Sequence, residues 1–217
     1  MKKHIVCFGD SNTHGYCADP ADSADGGTRF NEEERWPCLL QKALGGEYLV
    51  IEEGLNGRTT VFEDPVKEGM RGIDSIFPCL MSHKSVDLLI LMLGVNDTKE
   101  RYGANPVVIS LGLERLVEKA KTVPAWPGSG PNILIISPAH IGEGIYRSPA
   151  GSRLGAGCAE KSRALAPLFA AVAERQGCAF LDAEGIGEYN ELDFMHLSRA
   201  GHAHLAEKLA ALVPGLL

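Results

Sequence analysis

The sequence predicts an α/β protein: a three-layer α/β/α sandwich around one open, parallel, five-stranded sheet. Two observations carry this. Short apolar runs rich in β-branched residues alternate with stretches of helical spacing along the whole chain. The strongest run, Leu88-Leu89-Ile90-Leu91-Met92-Leu93, shows no polar alternation, as expected of a strand buried on both faces at the centre of a parallel sheet. No internal repeat or linker divides the 217 residues, so they read as a single domain.

The first strand is His4-Ile5-Val6-Cys7-Phe8, and it stops at Gly9. The polar stretch Asp10-Ser11-Asn12-Thr13-His14-Gly15 follows at once. A serine just past a strand end lies where open α/β sheets bind ligands, although taken alone it reads as an ordinary turn residue. The segment 18–27, rich in Asp, Ala and Gly, lacks the ligand pattern of a calcium loop and reads as a solvated loop. Trp36, Leu39, Leu40, Ala43 and Leu44 have helical spacing, stopped by Gly45-Gly46. Tyr48 to Ile51 is a second strand, leading into the loop that holds Asn56 and Gly57.

A weaker helix covers Ile73 to Met81, and Leu88 to Leu93 is strand three, ending in Gly94-Val95-Asn96-Asp97. The next helix runs from about Val107 to Lys121, with Val108, Leu111, Leu116 and Ala120 proposed for its apolar face. Proline-rich 124–131 precedes strand four, Ile133 to Ile136. A long loop with five glycines, 138–157, separates it from an Ala-rich helix spanning Cys158 to Gln176. Strand five is Cys178 to Leu181, and Ser198 is placed to N-cap a last helix running to Leu212.

The net charge of −7, with Lys and Arg scattered, argues against nucleic acid or an anionic membrane as partner. No segment is apolar enough to predict a transmembrane helix, and the N-terminus lacks a signal-peptide core, so a cytoplasmic protein is expected. The six cysteines at 7, 17, 38, 79, 158 and 178 form no C-x-x-C pair and are expected as reduced thiols. His202 and His204 are two apart on a helix and cannot readily share a metal. No metal or cofactor is expected.

The polar clusters follow strands one, two, three and five, so the sheet brings them to one edge. Ser11 needs a base, and His196 suits that role because imidazole titrates near neutrality. Asp193, three residues earlier, can reach the far ring nitrogen and hold its tautomer. The backbone N–H groups of Ser11 and Gly57 and the amide of Asn96 can face the charge that develops on an attacked carbonyl oxygen. Alternatives stand beside this: Asn96 as a cap, His14 as a competing base, and Asp10 or Asp97 as structural carboxylates.

Gly9-Asp10-Ser11, Gly57, Gly94-Val95-Asn96-Asp97 and Asp193-x-x-His196 resemble, in order, the four signature blocks of the SGNH (GDSL-type) esterase/lipase superfamily, closest to its arylesterase/acyltransferase branch. The resemblance implies the flavodoxin-like sheet order 2-1-3-4-5. It also implies Ser11 as nucleophile, His196 and Asp193 completing the triad, and Ser11, Gly57 and Asn96 as the oxyanion hole. The expected reaction is hydrolysis of short-chain carboxylic esters through an acyl-enzyme, or acyl transfer to an alcohol, with a small-molecule ester as partner. A carbohydrate O-deacetylase or a lysophospholipase/thioesterase are alternatives within the class, and relatives of this kind can form homo-oligomers. Outside the class stands a flavodoxin-like ligand-binding module, for which the chain lacks a G-x-G-x-x-G or P-loop run.

The sequence departs from the family at Asn12, where the eponymous leucine stands, and at His14, where arylesterase relatives tend to carry Trp. Asn12, His14, Ile145 and Phe194 are taken as candidate walls of the substrate pocket, and the loops 18–27 and 142–157 as segments able to narrow its entrance.

Overall fold

A computed structural model describes residues 1–217. Five strands, β1 (Lys3–Gly9), β2 (Tyr48–Gly54), β3 (Leu88–Met92), β4 (Ile133–Ser137) and β5 (Ala179–Asp182), pair in parallel in the order β2-β1-β3-β4-β5. Eight α-helices connect or flank them: α1 (Ser11–His14), α2 (Trp36–Leu44), α3 (Gly72–Ser82), α4 (Pro106–Thr122), α5 (Gly151–Leu154), α6 (Cys158–Arg163), α7 (Leu165–Gln176) and α8 (Arg199–Leu212). None is long and apolar enough to cross a membrane.

The two-residue period of a strand sorts the core into two layers. Ile5 and Cys7 of β1 join Leu88 and Ile90 of β3 and Leu134 and Ile136 of β4 on one face, against Trp36, Leu40, Leu205 and Leu209 of α2 and α8. Their neighbours Val6, Phe8, Leu89, Leu91, Ile133 and Ile135 face the other way, onto α3, α4 and α7 through Ile76, Leu80, Leu113, Leu116 and Phe169. All five residues of β3 are buried, as its unbroken apolar run requires.

Four expectations change. The buried face of α4 is Ile109, Gly112, Leu113, Leu116, Val117 and Ala120, while Val108 and Leu111 are exposed. Spacing explains it: the buried set keeps the three- and four-residue steps of one helix face, and positions 108 and 111 fall on the opposite side. The long helix over 158–176 is two helices meeting at Ala164. Pro167 has no N–H for the Arg163 carbonyl, and its ring would strike that carbonyl. β2 continues three residues past Ile51, because Glu52 and Glu53 still pair with Cys7 and Phe8 and find partners for their carboxylates in Arg35 and His83. The polar stretch after β1 is a single helical turn, α1. A Cβ on Gly54 would stand 2.1 Å from the His14 nitrogen, so α1 crosses the end of β2 at a distance only glycine permits.

Candidate active site

β1 delivers its chain directly into α1. Asp10 caps the helix, its Oδ1 accepting the Asn12 N–H at 3.0 Å, and Ser11 is the first helical residue. Gly15, in the left-handed region at φ 83°, ends the helix after one turn. Ser11 is thereby held at the carboxyl edge of the sheet, mostly buried, with its side chain on a cavity wall.

The loop after β5 brings His196 to it across 185 positions, with Nε2 2.8 Å from Ser11 Oγ. Nδ1 of the same ring lies 2.5 Å from Asp193 Oδ2. The other carboxylate oxygen of Asp193 accepts the Met195 N–H at 3.2 Å, the His196 N–H at 3.1 Å and the Asn190 side-chain amide at 2.9 Å. Burial pushes the Asp193 carboxyl up, but the hydrogen bond and charge of His196, with the backbone donors, outweigh it and leave its pKa below the ordinary range. Phe194, at φ 59°, occupies the left-handed region unusual for a bulky residue, and this bend wraps the chain around the carboxylate. The Tyr16 ring lies 4.5 Å from the His196 ring, tilted by 52°.

Asn96 opens a short 3₁₀ turn after β3, and its Nδ2 lies 3.4 Å from Asp10 Oδ2. Asp97 reaches back to the loop after β2, its Oδ1 accepting the Thr60 N–H at 2.9 Å and the Thr60 hydroxyl at 2.5 Å. Asp10 and Asp97 are both enclosed, and burial raises each to a pKa of about 6. Gly57 has φ 92°. Its nearest neighbours would leave a Cβ at 3.4 Å or more, so the backbone conformation, more than crowding by the protein, calls for glycine there.

These groups border a cavity of about 860 Å³ that Ser11, Asn56, Gly57, Asn96, Asp193 and His196 share. Both loops that the sequence singles out reach it, Ala18 from the first and Pro149, Ala150, Ser152, Arg153 and Leu154 from the second. The four candidate wall residues do not line it. Asn12 is buried behind Ser11, its Nδ2 donating to Met195 O at 3.2 Å and its Oδ1 accepting the Leu197 N–H at 2.9 Å. His14 turns toward Gly54 and Arg29, and burial with the arginine's charge lowers its pKa. Ile145 is fully buried in a small core with Val95, Ile141 and Met195, which the Phe194 ring joins by packing over Gly144. Apolar side chains in a loop that folds back on itself fill its interior first.

Sequence reasoning missed Tyr16, Asn190 and the basic residues Lys67, Lys99, Arg101 and Arg153, all but Asn190 on the cavity wall. Asn190, three residues before Asp193 and an Asx-turn former, was the one with a local signal.

The chain matches the model of the GDSL-like lipase/acylhydrolase family over residues 7–204. No curated protein matches its sequence. Among solved structures it is similar to the native aryl esterase of M. smegmatis, at 33% identity and TM-score 0.88, covering 99% of this chain and 100% of that one. A carbohydrate acetylesterase from Sinorhizobium meliloti aligns at 30% identity and TM-score 0.89, covering all of both chains. A carbohydrate acetylesterase family member from the same organism aligns at 35% identity and TM-score 0.87, covering 99% of each. The sheet order is that of the SGNH hydrolases, and this esterase-type hydrolase belongs to the GDSL-like lipase/acylhydrolase family.

Proposed function

We propose that the protein cleaves short-chain carboxylic esters through an acyl-enzyme on Ser11. The observation that carries this reading is the continuous path from Ser11 Oγ to His196 Nε2 at 2.8 Å and from His196 Nδ1 to Asp193 Oδ2 at 2.5 Å. Serine is a weak nucleophile at its own pKa, and a hydrogen-bonded imidazole removes that obstacle. Oγ attacks the carbonyl carbon while its proton passes to His196 Nε2. The carbonyl oxygen takes the negative charge and receives the backbone N–H groups of Ser11 and Gly57 and the Asn96 amide. Collapse expels the alkoxide, which leaves as an alcohol with the proton from Nε2. Water, activated by the same nitrogen, then attacks the acyl carbon and restores Ser11; an alcohol in its place gives acyl transfer. Asp193 stabilises the imidazolium in both halves.

Short acyl groups suit a cavity whose wall carries the charged side chains of Asp64, Lys67, Lys99, Arg101 and Arg153 beside Val66, Leu154 and Leu192. Removal of an acetyl group from a carbohydrate is a second reading within the same chemistry, favoured by the polar lining of Asn56 and Ser152 and the likeness to the S. meliloti structures. All six cysteines are free thiols, which fits a reducing compartment such as the cytoplasm.

A p-nitrophenyl ester series of increasing acyl length, with and without added alcohol, tests the reaction. Rates are expected to fall with chain length. Ser11→Ala should abolish both turnover and covalent labelling by a fluorophosphonate. Labelling that persists elsewhere in the chain would show that the nucleophile is another residue.

A further inference from the structure

Most of the arginines of this acidic protein are matched by carboxylates: Arg35 by Glu32 and Glu52, Arg71 by Glu63 and Asp74, Arg175 by Glu114. The cavity wall holds more cations than carboxylates. Lys67, Lys99, Arg101 and Arg153 line it, against the carboxylates of Asp64 and Asp193 alone. Asp193 is committed to His196 and its own loop. Asp64 is shared: Lys99 Nζ lies 3.1 Å from its Oδ2, Arg101 Nη2 2.7 Å from the same oxygen and Arg101 Nε 3.1 Å from Oδ1. Asp64 is buried, so it acts as a fixed post for two cations and neutralises only one of them.

Lys67 and Arg153 form no ion pair. Lys67 Nζ donates to the Asn56 carbonyl at 2.8 Å and stands 3.5 Å from where a Cβ of Gly57 would be. An ammonium without a carboxylate partner therefore lies beside the glycine assigned to the oxyanion hole. Arg153 belongs to the loop that Arg101 holds, since Arg101 Nη1 donates to the Arg153 carbonyl at 2.9 Å. A cavity with an excess of positive charge and partly apolar walls concentrates anions, and ammonium and guanidinium groups give charge-assisted hydrogen bonds to acid oxygens.

We infer that this cavity is built for esters carrying an acid group, a carboxylate or phosphate, whose charge is received by Lys67 and Arg153 with the Lys99–Asp64–Arg101 cluster behind them. The inference rests on the esterase reading and names its substrate class. The two unpaired cations are the recognition elements; the cluster holds the field in place and ties the 149–154 loop to the site.

The test compares matched esters. One pair is 4-acetoxybenzoate and its methyl ester, with the charge on the alcohol side. The other is the 4-nitrophenyl monoester of adipic acid and its methyl ester, with the charge on the acyl side. At least one charged ester should show kcat/KM roughly tenfold above its neutral partner. That advantage should shrink toward unity as ionic strength is raised from about 0.05 to about 0.5 M, where the screening length falls several-fold. The double variant Lys67→Gln/Arg153→Gln should lose it as well, with circular dichroism reporting that the variant is folded. Should the variant not fold, the salt series in the native protein decides. Equal rates within each pair, or a charge preference that survives both salt and the double variant, overturn the inference while leaving the esterase intact. Absence of turnover for all four esters, together with absence of fluorophosphonate labelling, removes the esterase reading itself.

Discussion

Asn12 Oδ1 accepts the Leu197 N–H at 2.9 Å, while Asn12 Nδ2 donates to the carbonyl of Met195 at 3.2 Å. One buried side chain, next to Ser11, thus grips the backbone on both sides of His196. Its own main chain is fixed too, the N–H by Asp10 and the carbonyl by the Trp36 indole at 3.1 Å. The family's usual leucine could make neither side-chain bond.

Replacing Asn12 by Leu should therefore leave the Leu197 N–H and the Met195 carbonyl buried and unpaired, at a cost of about 1–3 kcal/mol each. The histidine loop would shift, and kcat should drop by up to about 100-fold. KM should change little, because Asn12 does not line the cavity. Asn12→Asp, which keeps only the acceptor, should fall between the two. A Leu variant with native kcat would show that the grip is dispensable.

Asn96→Ala removes one of the three donors proposed for the oxyanion hole and should lower kcat by roughly 10²–10³. The readout is kcat on a p-nitrophenyl ester, with circular dichroism to establish folding. A loss below about threefold in a folded variant would reduce Asn96 to the start of its turn.

Asp193→Asn retains an oxygen for the N–H groups of Met195 and His196 but can set an amide against His196 Nδ1. That forces the ring into the tautomer unable to accept the Ser11 proton, and kcat should fall by up to about 10⁴. An unchanged rate in single-turnover measurements would take Asp193 out of the triad.

His202 is fully buried, with Nδ1 accepting the Trp36 N–H at 3.2 Å, and burial lowers its pKa from 6.5 to about 3. The unfolded chain takes up this proton near pH 6.5 and the folded chain only near 3, so stability is lost as pH falls across that window. Asp10 and Asp97 act in the opposite sense. With pKa raised from 3.8 to about 6, their contribution is present below 3.8 and lost as pH rises through 6. The difference between the native protein and His202→Leu isolates the histidine. Urea unfolding between about pH 7 and about pH 4 should show the native protein losing stability more steeply on acidification. Parallel slopes would mean that His202 takes up its proton at the same pH in both states.

Much of the fold was legible because its signals are local. β1, β3 and β4 each carry a continuous apolar run, and β3, the most apolar, lies at the centre of the sheet. Helix faces were less legible. Val108 and Leu111 are as apolar as Leu113 and Val117, and what separates them is the unbroken three- and four-residue spacing from Ile109 to Ala120, the face that α4 packs against α3 and α7. Pro167 was visible in the sequence, and its clash with the preceding turn breaks the long helix there.

The sequence by itself determined which groups can meet. Parallel strands all end on one edge, so the polar residues after β1, β2, β3 and β5 had to share it wherever they stood in the chain. It also determined the class of chemistry, since serine, histidine, aspartate and amide donors at those ends suit one kind of reaction. Only the tertiary structure decided what surrounds them. Asn12 lies behind His196 rather than in the cavity, Ile145 and Phe194 turn into a small core, and Lys67 and Arg153 face the cavity unpaired. Loop side chains are placed by packing and charge pairing with residues far away in sequence, and no periodicity within the loop records those partners.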